Sequence, residues 1–154
     1  MAEEKNIVMN RKAHHEYDIV DRIEAGIVLA GSEVKSMRDG RANLTDAYAH
    51  VVKGEVWLTG MHVSPYKEAT DQNHEPLRER KLLLHRNEIK KLARRAEEKG
   101  FTLIPLRLYF KNGKVKVELG VARGKRQYDK KQAIAQRDAK RDMEREQKKF
   151  KFKL

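Results

Sequence analysis

Short strand patterns punctuated by glycine, a strong Asn-Gly hairpin signal and only one long amphipathic helix predict a mainly β fold with added α-helices. The arrangement these favour is a small closed or nearly closed antiparallel barrel, with an open α+β sheet as the alternative. IEAGIVLAG (23–31) is apolar and β-branched, and its Gly26 marks a bulge or a close backbone approach. SEVKSMRDG (32–40) reads as a short helical turn capped by Ser32 and stopped by Gly40. AYAHVVKGEVWLTGMHV (47–63) gives two strands joined at Lys53-Gly54. KEATDQNHEPLRER (67–80) is polar and reads as a mobile loop. NEIKKLARRAEEKG (87–100) is the clearest helix: Asn87 caps it, Ile89, Leu92, Ala93 and Ala96 form one stripe, and Gly100 ends it. FTLIPLRLYF (101–110) returns to strand character. In LRLYFKNGKVKVELGVA (106–122), Asn112-Gly113 suits a type I′ turn, which needs positive φ at both central positions. Beyond that turn Val115, Val117, Leu119 and Val121 point one way, and Lys116 and Glu118 the other.

The chain has 154 residues, the size of one domain with a true core, and a net charge of +12. That excess argues for a polyanionic partner. The charge is uneven: residues 123–154 hold 13 Lys and Arg against five acids, a net +8, which leaves +4 for residues 1–122. A boundary is therefore placed at Ala122, between a folded domain (1–122) and a basic tail (123–154). In the tail Arg137, Arg141, Arg145 and Lys149 repeat every four residues as a basic ridge, and Asp138, Asp142 and Glu146 form an acidic one beside it. Ile134, Ala139 and Met143 are too few to dock such a helix on a core, and a lone helix of this length is marginal in water. The tail is expected to be unstructured when free and helical on an anionic partner; the alternative is a solvated tail that aids solubility.

Catalytic chemistry is thin. There is no cysteine, which removes disulfides and thiolate chemistry, and no apolar run has the ~18 residues of a membrane span. The first residues lack a signal peptide's apolar region, so a soluble cytoplasmic protein is expected. The six histidines show no helical ligand spacing, so neither a metal nor another cofactor is expected. Glu24, Glu33 and Glu118 lie inside apolar patterns without a paired catalytic partner, so no enzymatic role is assigned. Gly124-Lys125 lacks the second glycine and the Ser/Thr of a phosphate-binding loop. Lys35, Arg38 and Arg41 either share one RNA-facing surface or are simply solvated.

NRKAHHEYDIVDRIEAGIVLAGSEVKSMRDGRANLTDAYA, with HVSPY, RERKLLLHRNEI, LYFKNGKVKVELGVARGK and YDKK, resembles the SsrA-binding protein family, also called small protein B (SmpB). The resemblance implies an oligonucleotide-binding-type (OB-like) barrel that is not an enzyme. Such proteins bind transfer-messenger RNA (tmRNA) and bring it to ribosomes stalled without a stop codon, with elongation factor Tu as an indirect partner on the charged RNA. It implies a monomer whose barrel holds the tRNA-like domain. The residues placed at that RNA are Asn10, Arg11, Lys12, His15 and Tyr17, then Glu24, Ala25 and Gly26, Lys35, Arg80, Lys81, Leu83 and Lys116. Glu24 would accept hydrogen bonds from base edges or 2′-hydroxyls, which a lysine cannot do. Leu83 would meet an unstacked base or ribose, with Leu82 and Leu84 in the core.

The same resemblance sends the tail to the small-subunit decoding centre and the empty mRNA channel. Gly124, Lys125, Arg126, Tyr128, Asp129, Lys130, Lys131, Arg137, Arg141 and Arg145 are its implied ribosome-facing residues. Tyr128 has no core partner in sequence, and stacking on an exposed base would give it one. Lys131 stands where the family usually has arginine, exchanging a planar fork for a point charge.

Overall fold

A computed structural model of the chain describes residues 3–69 and 73–124, together with Arg137 and Arg141. In chain order the elements are β1 (Glu4–Met9), α1 (Arg11–Glu16), β2 (Tyr17–Ile27), α2 (Gly31–Arg38), β3 (Ala42–Asn43), β4 (Tyr48–Val52), β5 (Glu55–Thr59), β6 (His62–Val63), β7 (Arg80–Leu83), α3 (Arg86–Glu97), β8 (Phe101–Lys111) and β9 (Lys114–Gly124). The main sheet runs β1-β8-β4-β5-β7-β2-β9, and a further β8–β9 pairing closes it. Six strands therefore form an antiparallel barrel, with β1 added on β8 and the β3–β6 pair beside it. Of the two arrangements open in the sequence, the closed barrel is the one present.

The long arms of that barrel are β2, β8 and β9. Asn112 and Gly113 turn the β8–β9 hairpin at φ 52° and 74°, with Phe110 opposite Val115 and Lys111 opposite Lys114. This is the type I′ geometry expected of Asn-Gly. Val117, Leu119 and Val121 then enter a core shared with Val56, Leu58, Leu82, Leu103 and Leu108. Two seams are narrow: β4 meets β8 only at Ala49↔Leu103, and β2 meets β7 only at Gly26↔Leu83 and Ile27↔Leu82. Helix α3 packs over β4 and β8 and sends Leu92 into the core, covering the first seam.

The second seam is held by charge. Glu33, on α2, is fully buried and pairs with both Arg78 and Arg80, and Arg80 is fully buried as well. The remaining donors of Arg80 reach the carbonyls of Met61 (2.8 Å) and Pro76 (3.2 Å). Glu33 Oε1 also accepts the Ala30 N–H at 2.8 Å, so one carboxylate starts α2 and anchors β7. Burial opposes its ionisation, but the hydrogen bonds from Ala30, Arg78 and Arg80 outweigh burial and hold the carboxyl below its ordinary 4.5.

Several boundaries differ from the sequence reading. Ser32 does not cap α2: the helix begins at Gly31, and the Ser32 hydroxyl lies 2.8 Å from the buried His74 ring. Asn87 does not cap α3, which starts at Arg86 with His85 as N-cap; Glu88 accepts the His85 N–H at 2.9 Å. In both helices a glutamate three residues in supplies the cap that a short polar residue was expected to give. Strand β2 starts at Tyr17, well before the apolar run, and β9 continues to Gly124, beyond Ala122. Strand β1 and helix α1 were not foreseen. Part of the expected mobile loop is ordered by Asn73, whose amide donates to Tyr66 O (2.9 Å) and Ala69 O (3.2 Å).

Glu33→Gln leaves two guanidinium groups without their counter-charge. The expected cost is about 3–5 kcal/mol, read from urea unfolding at neutral pH. Because the folded carboxyl lies below 4.5, its stabilisation is complete above that value and disappears as pH falls through the folded-state pKa. Wild-type protein should therefore lose stability on acidification below 4.5 through a component that Glu33→Gln lacks.

Candidate nucleic-acid interface

Strands β7, β2 and β9 lie side by side, and their registers put three residues in one row. Gly26 is paired with Leu83 on β7 and with Lys116 on β9. Strand alternation places Glu24 on the same outer face and sends Ala25, 1% exposed, into the core. Leu82 is 1% exposed while Leu83, the next residue, is 52% exposed. Glu24, Gly26, Leu83 and Lys116 line a groove of ≈780 Å³ whose other walls include His85, Glu88 and Lys114.

Gly26 has a steric reason to be glycine. A Cβ built there would lie 3.2 Å from Leu83 Cβ, tighter than ordinary van der Waals contact. The missing side chain lets an exposed leucine lie across the strand. The close backbone approach read from the sequence is this one.

Electrostatics around Glu24 are built by neighbouring strands. Glu24 sits directly opposite Glu118, a like-charge pair that would repel if left bare. Arg22 (3.0 Å) and Arg107 (3.1 Å) neutralise Glu118. Glu24 instead accepts the Tyr109 hydroxyl at 2.5 Å and the Lys111 ammonium at 3.1 Å. The Tyr109 hydrogen bond, aided by Lys111 and the charge of Lys116, holds the Glu24 carboxyl below the usual glutamate range against partial burial. The groove therefore offers an ionised acceptor, an exposed apolar side chain and a lysine within one patch.

The other expected RNA-side residues separate into distinct groups. Arg11, Lys12 and His15 are exposed on α1, and Lys12 lies 3.7 Å from Asp46. They sit at the Tyr17 end of β2, roughly 20 Å from Glu24 at the ordinary strand rise. Lys35 is exposed on α2, its ammonium 5.6 Å from the Tyr66 ring centroid. Lys81 is partly exposed and 3.3 Å from Glu55.

Four placements correct the sequence reading. Asn10 is 4% exposed; it caps α1 through Ala13 N–H (3.2 Å), and its amide donates to Leu44 O and Pro105 O. Arg80 is bound inside the fold by Glu33, and Ala25 is core. None of the three presents a polar group to a partner. Tyr17 is 9% exposed and packs with Ile104, Leu106 and Ala122 rather than on the groove.

Of the tail, Gly124 closes β9 opposite Tyr17. Arg137 and Arg141 are helical. Arg137 donates to Thr102 Oγ1 at 2.7 Å, and its guanidinium lies 5.6 Å from the ring centroids of both Tyr17 and Tyr48. Among the described residues, the basic ridge thus meets the barrel through Arg137, and Arg141 is partly buried beside it. Lys125, Arg126, Tyr128, Asp129, Lys130, Lys131 and Arg145 lie outside the described residues, as does the expected coil-to-helix change.

Sequence reasoning missed Tyr109, Lys111, Arg107 and the β1 residues that brace them. The signal was there in part: Tyr109 and Lys111 alternate on the outward face of the hairpin. Their convergence on Glu24, 85 and 87 residues away, is set by the barrel's closure. Among the described residues no group of three or more His, Asp or Glu is placed to hold a metal, and no helix is long and apolar enough to cross a membrane.

The groove's residues come from the segments that carried the resemblance, and comparison with known proteins agrees with it. The chain is 58% identical over 139 residues to the SsrA-binding protein of Syntrophobacter fumaroxidans, covering 90% of this chain and 86% of that one. It is 57% identical over 143 residues to the SsrA-binding protein of Geobacillus kaustophilus, covering 93% and 92% of the two chains. A chain in a solved structure described as "tmRNA-SmpB: a journey to the center of the bacterial ribosome" superposes with a TM-score of 0.67 at 44% identity, over 82% of this chain and 93% of the other. The family model described as SmpB protein matches residues 7–149, so the barrel and most of the tail together place this chain in the SmpB family of SsrA-binding proteins.

Proposed function

We propose that this protein binds tmRNA and brings it to stalled ribosomes, with the barrel holding the tRNA-like domain and the tail acting in the ribosome. The observation that carries the barrel's part is the single row of Leu83, Gly26 and Lys116 with Glu24 beside it. Lys116 supplies a phosphate contact, Leu83 an apolar surface for a base or ribose, and Glu24 an acceptor that discriminates by hydrogen bonding. Arg11 and Lys12 add positive charge, and His15 a hydrogen-bonding ring, at the far end of β2, a distance that a structured RNA spans. Lys35 extends the cationic surface around the same domain, and Lys81, paired with Glu55, offers its remaining donors there.

The tail's part follows from its charge and from kinship. A strongly basic segment joined to the last barrel strand suits ribosomal RNA lining the decoding centre and mRNA channel. It would compete with an intact message for the same space, which makes an empty channel the condition for its entry. Tyr128 would stack on a ribosomal base there. The protein needs no catalytic group for this work, and a cytoplasmic location follows from its ribosomal partner.

Binding of the isolated tRNA-like domain tests the row. Lys116→Ala should weaken binding and reduce the slope of log K against log[salt] by about one unit. Leu83→Ala and Glu24→Gln should each weaken binding by about tenfold at unchanged slope, as loss of a stacking or charge-assisted contact predicts. Gly26→Ala should act like Leu83→Ala, because the new methyl displaces that side chain.

Truncation after Gly124 tests the two-part division and spares the pairing of Arg123 with Asp18 and of Gly124 with Tyr17. The shortened protein should keep specific tmRNA binding and fail to support tagging on stalled ribosomes. Collapse of tmRNA binding together with the tail would identify a general basic RNA binder instead.

A further inference from the structure

Glu24 accepts a hydrogen bond from a residue that cannot itself reach RNA. Tyr109 is 1% exposed, on β8, paired with Asn6 on β1 and with Lys116 on β9. Its ring is covered by the Arg107 guanidinium, 4.0 Å from the centroid. Arg107 is fixed in turn by Glu118 (3.1 Å), Glu4 (2.8 Å) and Asn6 (2.8 Å), so three strands hold the ring in one place. A phenol has one hydrogen to donate. Here it goes to Glu24 Oε2 at 2.5 Å. Lys111 approaches the same oxygen at 3.1 Å and Oε1 only at 3.5 Å. Oε2 is thus engaged most closely from within the protein, and Oε1 has only the longer Lys111 contact.

We propose that Tyr109 is a positioning residue for RNA recognition: its buried hydroxyl orients the Glu24 carboxylate so that Oε1 faces the RNA. The proposal rests on the reading of the groove as the tmRNA site and adds the device that shapes its acceptor. A glutamate on a strand has several rotamers, and Lys111 is a flexible point charge that follows any of them. The braced phenol selects one. Burial, and then the charge of Glu24, push the Tyr109 hydroxyl well above the ordinary phenol range, so it remains a donor at any pH at which the protein works. β1, absent from the sequence reading, takes part by holding Arg107 over the ring.

The test is Tyr109→Phe in the full-length protein, which keeps the packed ring and removes one hydroxyl. Binding to the tRNA-like domain of tmRNA should weaken by about fivefold. Because no phosphate contact is lost, the salt slope should stay unchanged. In the Glu24→Gln background the same substitution should cause no further loss, since the group it orients is gone. In the free protein, carbon-13 NMR of the Glu24 carboxyl should show a titration midpoint below 4.5 that moves up in Tyr109→Phe.

Wild-type affinity in Tyr109→Phe would overturn the proposal, as would a loss fully additive with that of Glu24→Gln. If Glu24→Gln alone binds normally, the groove reading has failed. The carboxyl titration still decides then whether Tyr109 holds that group. A wild-type midpoint at the ordinary glutamate value overturns it without recourse to any variant.

Discussion

The buried contact of Glu33 with Arg80 holds together the part of the barrel where the candidate site lies. Strand β7 has only four residues; it pairs with β5 at three positions but with β2 at only two, so its β2 edge is the weaker one. The ion pair ties β7 to the start of α2, which follows β2 in the chain. Arg80 also gathers the carbonyls of Met61 and Pro76, so the turn out of β5 and the segment before β7 converge on the same guanidinium. Two ions in the interior are costly unless every donor and acceptor is used. Here the carboxylate takes Ala30, Arg78 and Arg80, and the guanidinium has three partners. A hydrophobic pair of equal volume would fill the space, but it would not dictate which carbonyls meet or in what register. Register matters here because a one-residue slip of β7 would bury Leu83 and expose Leu82.

With β7 in place, the barrel wall becomes a patterned chemical surface. Each outward position on β2 faces one neighbour on β9, and Gly26 faces β7 as well. The like-charge Glu24–Glu118 pairing is resolved by giving the two carboxylates different partners. Glu118 receives two arginines and is closed off. Glu24 receives a phenol and a lysine, both closest to Oε2, and stays partly exposed. Two glutamates of the same type thus become a structural clamp and an available acceptor, distinguished only by what the adjoining strands present.

What could be read from residues 101–124 was local. Asn112-Gly113 and the alternation after it fix a hairpin without reference to the rest of the chain. Leu83 between Leu82 and Leu84 was placed by the family resemblance, and strand alternation accounts for the exposures found: Leu82 is fully buried, Leu84 packs on the core, and Leu83 is open. Asn10 and Arg80 were misplaced for a shared reason. A polar residue in a family motif reads as a surface contact, yet each is polar because the fold needs a buried donor there. Nothing in the spacing of Glu33 and Arg80, 47 residues apart, announces their pairing. Helix α1 and strand β1 were missed because their stabilisation is tertiary: Ala13 and Tyr17 pack against β8, and β1 borrows its ladder from that strand. The caps of α2 and α3 were assigned to short polar residues where glutamates three positions in do the work.

The division of charge between barrel and tail fits a division of tasks. Residues 1–122 carry a net charge of only +4, and many of the barrel's cations are already paired with acids: Arg22, Arg78, Arg80, Lys81, Lys91, Arg107 and Lys111 all have carboxylate partners. A surface neutralised in this way attracts RNA weakly at long range, which suits the proposed reading of discrimination through placed contacts such as the Glu24 acceptor. Residues 123–154 carry +8. That excess attracts any phosphate-rich surface, with the salt dependence that counterion release imposes. Phosphate contacts position and base contacts specify. In one chain the tail can then supply general affinity for a ribosomal surface while the barrel supplies choice of RNA. On the proposed reading the acid on the barrel would help that choice, because a carboxylate repels a bare phosphate backbone and would reward only an RNA that brings it a hydrogen-bond donor.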